Sequence, residues 1–370
     1  MKSKRITLIV LSAILAGMVS ACQPQETQEI RFIENPGPAA VENIWEFDTP
    51  ENQGMDSKMI EAFYELIAVY DVSSVVVVKG GKIISEYYKN EIIDLDPYDA
   101  DSLENDEGYD ENSLFEIYSV SKSILSALVG IAIDQGHIPG TDTKIAEYFP
   151  QLADNPQKKE VTIGHLLTHT SGFVWNDDEH FIKGLSKKDA IEFFLGCPMV
   201  DEPGTIFRYN TCATHILSAI LQIATGKDAY TFACENLFFL IGMESVHWKF
   251  KDDIALGGTG VQMSVRDMAR FGELFLNGGK WQGRQIIPEK WVRESTRSQT
   301  YNAEDAPDYG YLWWVSSEYG QPYYEANGLG GQYIFVVPEM DIVTVMTGWD
   351  SGLDLESCFR KYIIESCTGS

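Results

Sequence analysis

Apolar and polar positions alternate as in strands near the two ends of the chain and follow helical periods between them. Residues 73–78 form a β-branched run, and residues 83–88 form a second strand-like run. The Lys-Gly-Gly-Lys segment at 79–82 supplies a turn between the runs, because glycine accepts the backbone angles of tight hairpins. The pattern predicts a hairpin whose first strand is buried.

The C-terminal part repeats this arrangement. Strands are predicted at 332–337 and 342–346, with a turn at 338–341 between them. A helix is predicted at about 353–366, because apolar residues recur there on one face. These residues are Leu355, Cys358, Phe359, Tyr362 and Ile363.

Helical periods dominate from 119 to about 297. After Lys122 the segment as far as residue 133 is apolar almost all round, which is typical of a buried helix. We therefore expect an α/β (α+β) fold in which both ends of the chain build one antiparallel sheet flanked by helices. A mostly helical lobe, at about 140–300, is inserted between the ends, and 46–368 forms one domain.

The N-terminus carries a different signal. Basic residues precede an apolar run at 6–19, which is too short to span a bilayer comfortably but has the length of a signal-peptide core. The run ends in Val19-Ser20-Ala21-Cys22, which resembles the lipobox of bacterial lipoproteins. This resemblance implies that 1–21 is a signal peptide and that Cys22 carries lipid. The alternative is an ordinary signal peptide with a cysteine near its cleavage site.

Residues 22–45 are mostly polar with scattered proline and predict a tether with no core of its own. The protein is then an exported lipoprotein of the bacterial cell envelope, in contact with a membrane only through its lipid.

Five cysteines remain besides Cys22, an odd number, and their spacing matches no zinc pattern. We interpret Cys197, Cys212, Cys234, Cys358 and Cys367 as small core residues, although the compartment would permit a disulfide.

The formal net charge of -27 argues against binding to nucleic acid or to anionic lipid. Nine acidic residues and no Lys or Arg lie within 94–111, which predicts a solvated loop that is dispensable for catalysis. A calcium loop is the alternative, but the spacing of the acids does not follow the EF-hand pattern.

Candidate chemistry begins with Ser119 and Lys122. They are three residues apart, so on a helix they share one face, and a helix that starts at Ser119 favours an alkoxide at its positive end. A lysine at the mouth of a buried helix is in the condition in which lysine activates a neighbouring nucleophile. The alternative is a capping serine followed by a solvated lysine.

Two further stretches bear on this choice. Residues 161–173 contain Thr168-His169-Thr170-Ser171-Gly172, and residues 258–272 begin Gly-Thr-Gly-Val-Gln-Met-Ser. With Ser119-Val120-Ser121-Lys122, they resemble the serine hydrolases of the β-lactamase and penicillin-binding-protein fold, in particular the branch with class C β-lactamases, D-Ala-D-Ala peptidases and esterases. The resemblance covers 57–364. It places His165 and His169 in the helical lobe, and no acid follows them in the zinc-protease pattern, so we expect no metal.

The family's second catalytic element is a tyrosine two residues before an asparagine. Tyr209-Asn210-Thr211 supplies the tyrosine, with Thr211 in the usual place of asparagine, and is similar to the Tyr-Asn-Ser of 6-aminohexanoate-dimer hydrolases. A lysine ammonium beside a tyrosine favours the phenolate, which can take the serine proton. The alternative is a core tyrosine before a helix at about 213–224.

The third element is a strand that usually reads Lys-Thr-Gly or His-Thr-Gly. The best match is 327–332, where Leu329 replaces the basic residue and Gly330 and Gly331 leave the strand edge bare. The resemblance implies an oxyanion hole made by the backbone N–H groups of Ser119 and Gln332. It also implies that Thr211, Leu329, Gly330, Gly331 and Trp175 contact substrate.

These observations predict a monomeric serine hydrolase that forms an acyl-enzyme at Ser119 on a small, uncharged ester or amide, with no cofactor or metal. The rivals are a β-lactamase or D-Ala-D-Ala carboxypeptidase, and a non-catalytic lipoprotein that binds cell wall. A binder has no need for Ser119, Lys122 and Tyr209 together.

Several aromatic residues are candidates for either an acyl pocket or the core. They are Trp175, Trp313, Trp314, Tyr323 and Tyr324.

Overall fold

A computed structural model of the chain describes residues 29–33, 45–90, 108–175, 182–300, 308–316, 321–349 and 352–367. The strands β1 to β15 are, in order, Glu29–Phe32, Glu46–Phe47, Val72–Lys79, Lys82–Tyr88, Leu114–Glu116, His247–Lys251, Ile254–Ala255, Val261–Ser264, Lys280–Trp281, Arg284–Gln285, Asp308–Tyr309, Trp314–Ser316, Tyr323–Gly328, Gln332–Val337 and Ile342–Gly348. The helices α1 to α10 are Ser57–Ile67, Val120–Asp134, Ile163–Leu167, Ile182–Leu185, Ala190–Gly196, Thr211–Thr225, Ala229–Ala233, Val265–Leu276, Glu289–Ser295 and Leu355–Cys358.

Two helices continue as π-helical turns, α7 through Cys234–Phe238 and α10 through Phe359–Ile364. Short 3₁₀ turns occupy Glu51–Gln53, Ile145–Glu147, Pro150–Leu152, Lys158–Glu160, Phe239–Ile241 and Pro338–Met340. No helix within the described residues combines the length and apolar character needed to cross a membrane.

The main sheet has the strand order β11-β12-β13-β14-β15-β3-β4-β2. Both predicted hairpins are confirmed: β3 pairs with β4 and β14 pairs with β15, all antiparallel. The two ends of the chain meet where β15 pairs with β3, with Val345 opposite Val76. The short β2 pairs parallel to β4, which departs from the wholly antiparallel sheet that was expected. The predicted fold class is otherwise confirmed.

Alternate residues of β3 enter two different cores, because successive side chains of a strand point to opposite faces. Val76 and Val78 pack with the buried helix α2 and the helical lobe, whereas Val75 and Val77 pack beneath α1 and α10. On that second face the rings of Phe63 and Phe359 are both buried. The sheet is therefore covered on both sides, and α2 is buried from Val120 to Ala132.

The inserted lobe is less helical than expected. A second sheet, ordered β1-β6-β8-β5 with β7 on β6, lies among its helices. These strands are two to five residues long and carry many polar residues, so the sequence gives them no clear period. Part of the expected tether contributes to this sheet, since β1 pairs along its length with β6. The expected signal peptide, Cys22 and most of the acidic loop lie outside the described residues.

The cysteines in the described part of the chain all have free thiols. Cys197, Cys212, Cys234 and Cys358 are buried, as expected of small core residues, and Cys367 is partly buried. Burial raises the pKa of Cys234 to about 12, so that thiol is protonated at neutral pH.

The packing of α2 against α9 gives a stability prediction. A Cβ at Gly130 would lie 2.3 Å from Cγ of Trp291, so Gly130→Ala is expected to destabilise the fold by about 1–3 kcal/mol. Gly196, also helical, has open space around it, so Gly196→Ala should leave stability unchanged or raise it by up to about 1 kcal/mol. Urea unfolding followed by circular dichroism measures both, and equal effects of the two changes would contradict the packing.

Candidate active site

The start of α2 brings a serine and a lysine into direct contact. The backbone of Tyr118 has φ of 45°, an uncommon left-handed conformation, and it sets Ser119 just before the first helical residue with its hydroxyl free of any capping bond. Lys122 donates hydrogen bonds from Nζ to Oγ of Ser119 at 2.8 Å and to the carbonyl oxygen of Gly258 at 2.9 Å. Only 1% of Lys122 is exposed. Its buried nitrogen is therefore held in place by two neutral partners, the hydroxyl of Ser119 and the carbonyl oxygen of Gly258.

Gly258 lies between Lys122 and the start of α6. A Cβ at this position would lie 2.5 Å from Oγ1 of Thr214, 2.6 Å from the methyl group of Thr211 and 3.3 Å from Cε of Lys122, so only glycine fits. Thr211, predicted to bind substrate, is 5% exposed, and its methyl group faces this glycine. The structure thus places Thr211 in the packing around Lys122.

Tyr209 lies beside the same lysine. The side chain of Asn210 accepts the N–H of Ala213 and so caps α6, which fixes the residue before it. The Tyr209 ring has its centre 4.7 Å from Nζ of Lys122 and stacks on Trp314 at a centroid distance of 5.8 Å and an angle of 11°. The nucleophile, lysine and tyrosine predicted from the sequence therefore come together in one cluster.

His169 holds the backbone on both sides of Tyr209. Its carbonyl oxygen accepts the N–H of Arg208 at 2.8 Å, and its Nδ1 accepts the N–H of Asn210 at 3.3 Å. Burial, helped by the positive charge of Lys122, holds the pKa of His169 well below its usual range, so the ring is neutral and can accept. From the sequence, this histidine was assigned to the helical lobe with no metal expected, and its contact with the backbone beside the tyrosine was missed.

The other histidine of that pair has a local role. Nδ1 of His165 accepts the backbone N–H of Thr162 at 3.2 Å, while Oγ1 of Thr162 accepts the N–H of His165, so the two form a capping box at the start of α3. Among the residues that the structure describes, no group of three or more His, Cys, Asp or Glu side chains is arranged to hold a metal ion.

One half of β13 presents a bare edge to Ser119. β12 pairs with residues 323–325 only, so within the described chain 326–328 have no strand partner on that side. A Cβ at Gly328 would lie 3.3 Å from the amide nitrogen of Ser119 and 2.5 Å from the carbonyl oxygen of Ile117. The strand end at Gly328 is thus the part of the sheet that meets the start of α2.

The predicted strand residues lie just beyond this point. Gln332 is opposite Gly328 on β14, and its buried side chain donates to the carbonyl oxygen of Gly348. Leu329 is 57% exposed in the β13–β14 turn, whereas a Cβ at Gly330 would lie 2.5 Å from the Trp349 ring. Gly330 and Gly331 have φ of 84° and 98°, a conformation that requires glycine.

The aromatic candidates divide between the site and the core. Trp314 stacks on Tyr209, but Trp313 is fully buried against Phe275, at a centroid distance of 4.6 Å. Tyr324 packs against Trp313 and Tyr323 against Phe359, both in cores. The ring of Trp175 contacts Phe194 edge-on at 6.1 Å in the helical lobe. Tyr118 and Trp349, not singled out from the sequence, have ring centroids 5.8 Å apart beside Ser119.

Chemically, the arrangement joins a hydroxyl to a basic amine and a phenol at the start of a buried helix. A serine hydroxyl in this position can be acylated if the pair of Lys122 and Tyr209 takes up its proton as the new bond forms. The bare edge at Gly328 lets the backbone of a substrate or its oxygen approach Ser119 closely.

Comparison with known proteins agrees with this geometry. The family model described as Beta-lactamase matches residues 68–352. The chain is 24% identical over 307 residues to the 6-aminohexanoate-dimer hydrolase of Paenarthrobacter ureafaciens, covering 74% of this chain and 71% of that protein.

Solved structures show the same fold. A Bacillus anthracis protein described as a candidate 6-aminohexanoate-dimer hydrolase superposes with a TM-score of 0.73 at 20% identity, covering 92% of this chain and 90% of that one. A family VIII carboxylesterase superposes with a TM-score of 0.67 at 17% identity, covering 92% and 99%.

The contact between Gly328 and the start of α2 gives a prediction for reactivity. In Gly328→Ala the added Cβ would meet the carbonyl oxygen of Ile117, so β13 must move away from Ser119. Fluorophosphonates label activated serines. Moving β13 away from Ser119 is expected to slow this labelling by at least about tenfold. Gly196→Ala is the matched control. Unchanged labelling of Gly328→Ala would show that this edge takes no part in the site.

Proposed function

The chain belongs to the beta-lactamase family of serine hydrolases, and on that premise we propose that it cleaves a small, uncharged ester or amide through an acyl-enzyme at Ser119. The observation that carries the proposal is the 2.8 Å hydrogen bond between Lys122 and the serine hydroxyl, made by a lysine that is 1% exposed. A solvated lysine after a capping serine would show neither feature.

In the proposed reaction, Oγ of Ser119 bonds to the carbonyl carbon of the substrate while its proton passes to the pair of Lys122 and Tyr209. The tetrahedral oxyanion collapses, the bond to the alcohol or amine breaks, and the leaving group takes the proton from the same pair. Water then attacks the acyl-enzyme with the same proton transfers in the reverse sense, which releases the acid and restores the hydroxyl.

The oxyanion hole is proposed to use the N–H of Ser119, at the positive end of α2. For the second donor we expected the N–H of Gln332. Gln332 lies on β14 opposite Gly328, however, and the contact with the Ser119 amide is made at Gly328 on β13. We therefore propose that the second donor lies on the β13 side of the turn, next to Gly328, which is the residue beside the Ser119 amide.

Apolar residues lie around the site, which favours a neutral substrate. Leu329, exposed in the β13–β14 turn, presents an apolar side chain where the resemblance would place a cation. The Tyr118 and Trp349 rings lie nearby and add apolar surface. The family's amide hydrolase and carboxylesterase relatives act on bonds of this class.

Attachment to a membrane is proposed separately, from the lipobox-like Val19-Ser20-Ala21-Cys22. Lipid on Cys22 would hold the domain at the surface of the cell envelope through the polar segment that follows. The strand β1 begins at Glu29, which leaves only a short connection between the proposed lipid and the folded domain.

The nucleophile is tested by Ser119→Ala, which should abolish both fluorophosphonate labelling and hydrolysis of p-nitrophenyl butyrate. Ser126→Ala is the matched control, because Ser126 is buried on the same helix and its hydroxyl has no hydrogen-bond partner among the described residues. Full labelling of Ser119→Ala would overturn the assignment. If the wild-type protein is not labelled at all, the result would favour a non-catalytic lipoprotein that binds cell wall over a hydrolase.

Substrate choice is tested with nitrocefin beside p-nitrophenyl butyrate. A charge-assisted hydrogen bond to a carboxylate contributes roughly 1.5–3 kcal/mol, so the lack of a cation at Leu329 predicts about ten- to a hundredfold weaker turnover of carboxylate-bearing substrates. Leu329→Lys should shift kcat/KM toward nitrocefin. Nitrocefin turnover at β-lactamase rates by the unchanged chain, or no shift in Leu329→Lys, would refute this account of specificity.

The anchor is tested by Cys22→Ser. The change removes the proposed attachment point of the lipid, so the protein should leave the membrane fraction as a precursor or a released form. Fractionation with detection by antibody measures this. Retention of the processed protein in the membrane fraction would contradict lipidation.

A further inference from the structure

We propose that Glu116 is a positioning residue that holds the carbonyl oxygen of Gly258 against Lys122. This inference rests on the proposed function, since it concerns the activation of Ser119. Glu116 is the last residue of β5, three residues before the nucleophile, and nothing in the sequence marked it as part of the site. Its side chain points instead into the loop that carries Gly258.

That loop reads Gly257-Gly258-Thr259-Gly260, and three of its four residues are glycine. The glycines are required by close packing: a Cβ at Gly257 would lie 2.0 Å from the carbonyl oxygen of Thr214. Glycine also gives the backbone the greatest conformational freedom, so such a loop does not hold a carbonyl in one place by itself. A fixed contact with Lys122 therefore needs a restraint from outside the loop.

The carboxylate of Glu116 supplies this restraint. Its Oε1 accepts the backbone N–H of Gly260 at 2.9 Å and the hydroxyl of Thr259 at 3.2 Å. Both donors belong to the two residues that directly follow Gly258. Hydrogen bonds to a carboxylate are stronger than those between neutral groups, and these two fix both the direction and the position of the loop.

A lysine anchors the carboxylate from the other side. Nζ of Lys249, on β6, lies 2.6 Å from Oε2 of Glu116, and only 5% of the Glu116 side chain and 16% of the Lys249 side chain are exposed. The backbone N–H of Lys249 also donates to the carbonyl oxygen of Gly260 at 2.8 Å. The loop is thus tied to the second sheet twice, by the ion pair of Glu116 with Lys249 and by the main-chain hydrogen bond between Lys249 and Gly260.

The same strand that carries Glu116 leads directly into the nucleophile. The N–H of Ile117 donates to the carbonyl oxygen of Val261 at 3.0 Å, and the N–H of Val261 donates to Oγ of Ser121 at 3.3 Å. The start of α2 and the loop are therefore joined at several points, and Glu116 is the link that binds the two residues directly after Gly258. Without it the loop keeps the main-chain bond from Lys249 but loses both hydrogen bonds next to Gly258. The carbonyl oxygen can then shift away from Lys122, which would lose one of its two neutral partners.

The test is the time course of fluorophosphonate labelling in the full chain. The final labelled fraction reports how much protein is folded and competent, whereas the rate constant reports the reactivity of each competent serine. A residue that only stabilises the fold changes the fraction and leaves the rate constant alone. Four proteins are compared: wild type, Glu116→Gln, Glu116→Ala and the control Glu86→Gln.

Glu86 is a suitable control, because it forms a partly buried, bidentate pair with Arg266 at 2.6 and 2.7 Å elsewhere on the domain. We expect the rate constant to fall at least about tenfold in Glu116→Ala, less in Glu116→Gln, whose amide oxygen can still accept from Gly260, and not at all in Glu86→Gln.

A rate constant within twofold of wild type in Glu116→Ala, at any labelled fraction, would overturn the proposal. An equal fall of the rate constant in Glu86→Gln would also overturn it, since the effect would then be a general loss of rigidity. A wild-type chain that is not labelled at all overturns the proposed function itself, and the inference with it.

Discussion

The burial of Lys122 is the constraint on which the rest of the site depends. Removing an amine from water is costly unless hydrogen bonds replace those lost, and here the replacements are the Ser119 hydroxyl and the carbonyl oxygen of Gly258. Both partners are neutral, and they come from distant parts of the chain. The buried helix α2, the glycine loop and the ring of Tyr209 must therefore all be in place for the lysine to be accommodated.

This requirement accounts for the position of the site in the fold. The main sheet supplies a bare strand edge at Gly328, the inserted lobe supplies Tyr209, and the second sheet supplies Gly258 and the ion pair behind it. Backbone strain is found at the same place, since Tyr118 and His169 adopt left-handed conformations on either side of the cluster. Rigid elements on three sides fix Ser119 before any substrate is present.

The sequence predicted the elements whose apolar period is strong. The helix after Ser119 and the hairpins around 79–82 and 338–341 were confirmed nearly to their ends, because local propensity and burial agree there. Contacts that depend on tertiary packing were not predictable. The strands of the second sheet are short and polar, and neither the stacking of Trp314 on Tyr209 nor the hydrogen bond of His169 to Asn210 has a signal in one sequence.

The proposed function depends above all on the acylation of Ser119 during turnover. Rapid acid quenching of the protein while it hydrolyses p-nitrophenyl butyrate, followed by mass spectrometry of its peptides, measures this most directly. A butyryl group is expected on the peptide that contains Ser119 when the reaction is quenched during turnover. The group should be absent when the quench follows exhaustion of the substrate. Turnover with no acyl group on that peptide, or an acyl group on another serine, would contradict it.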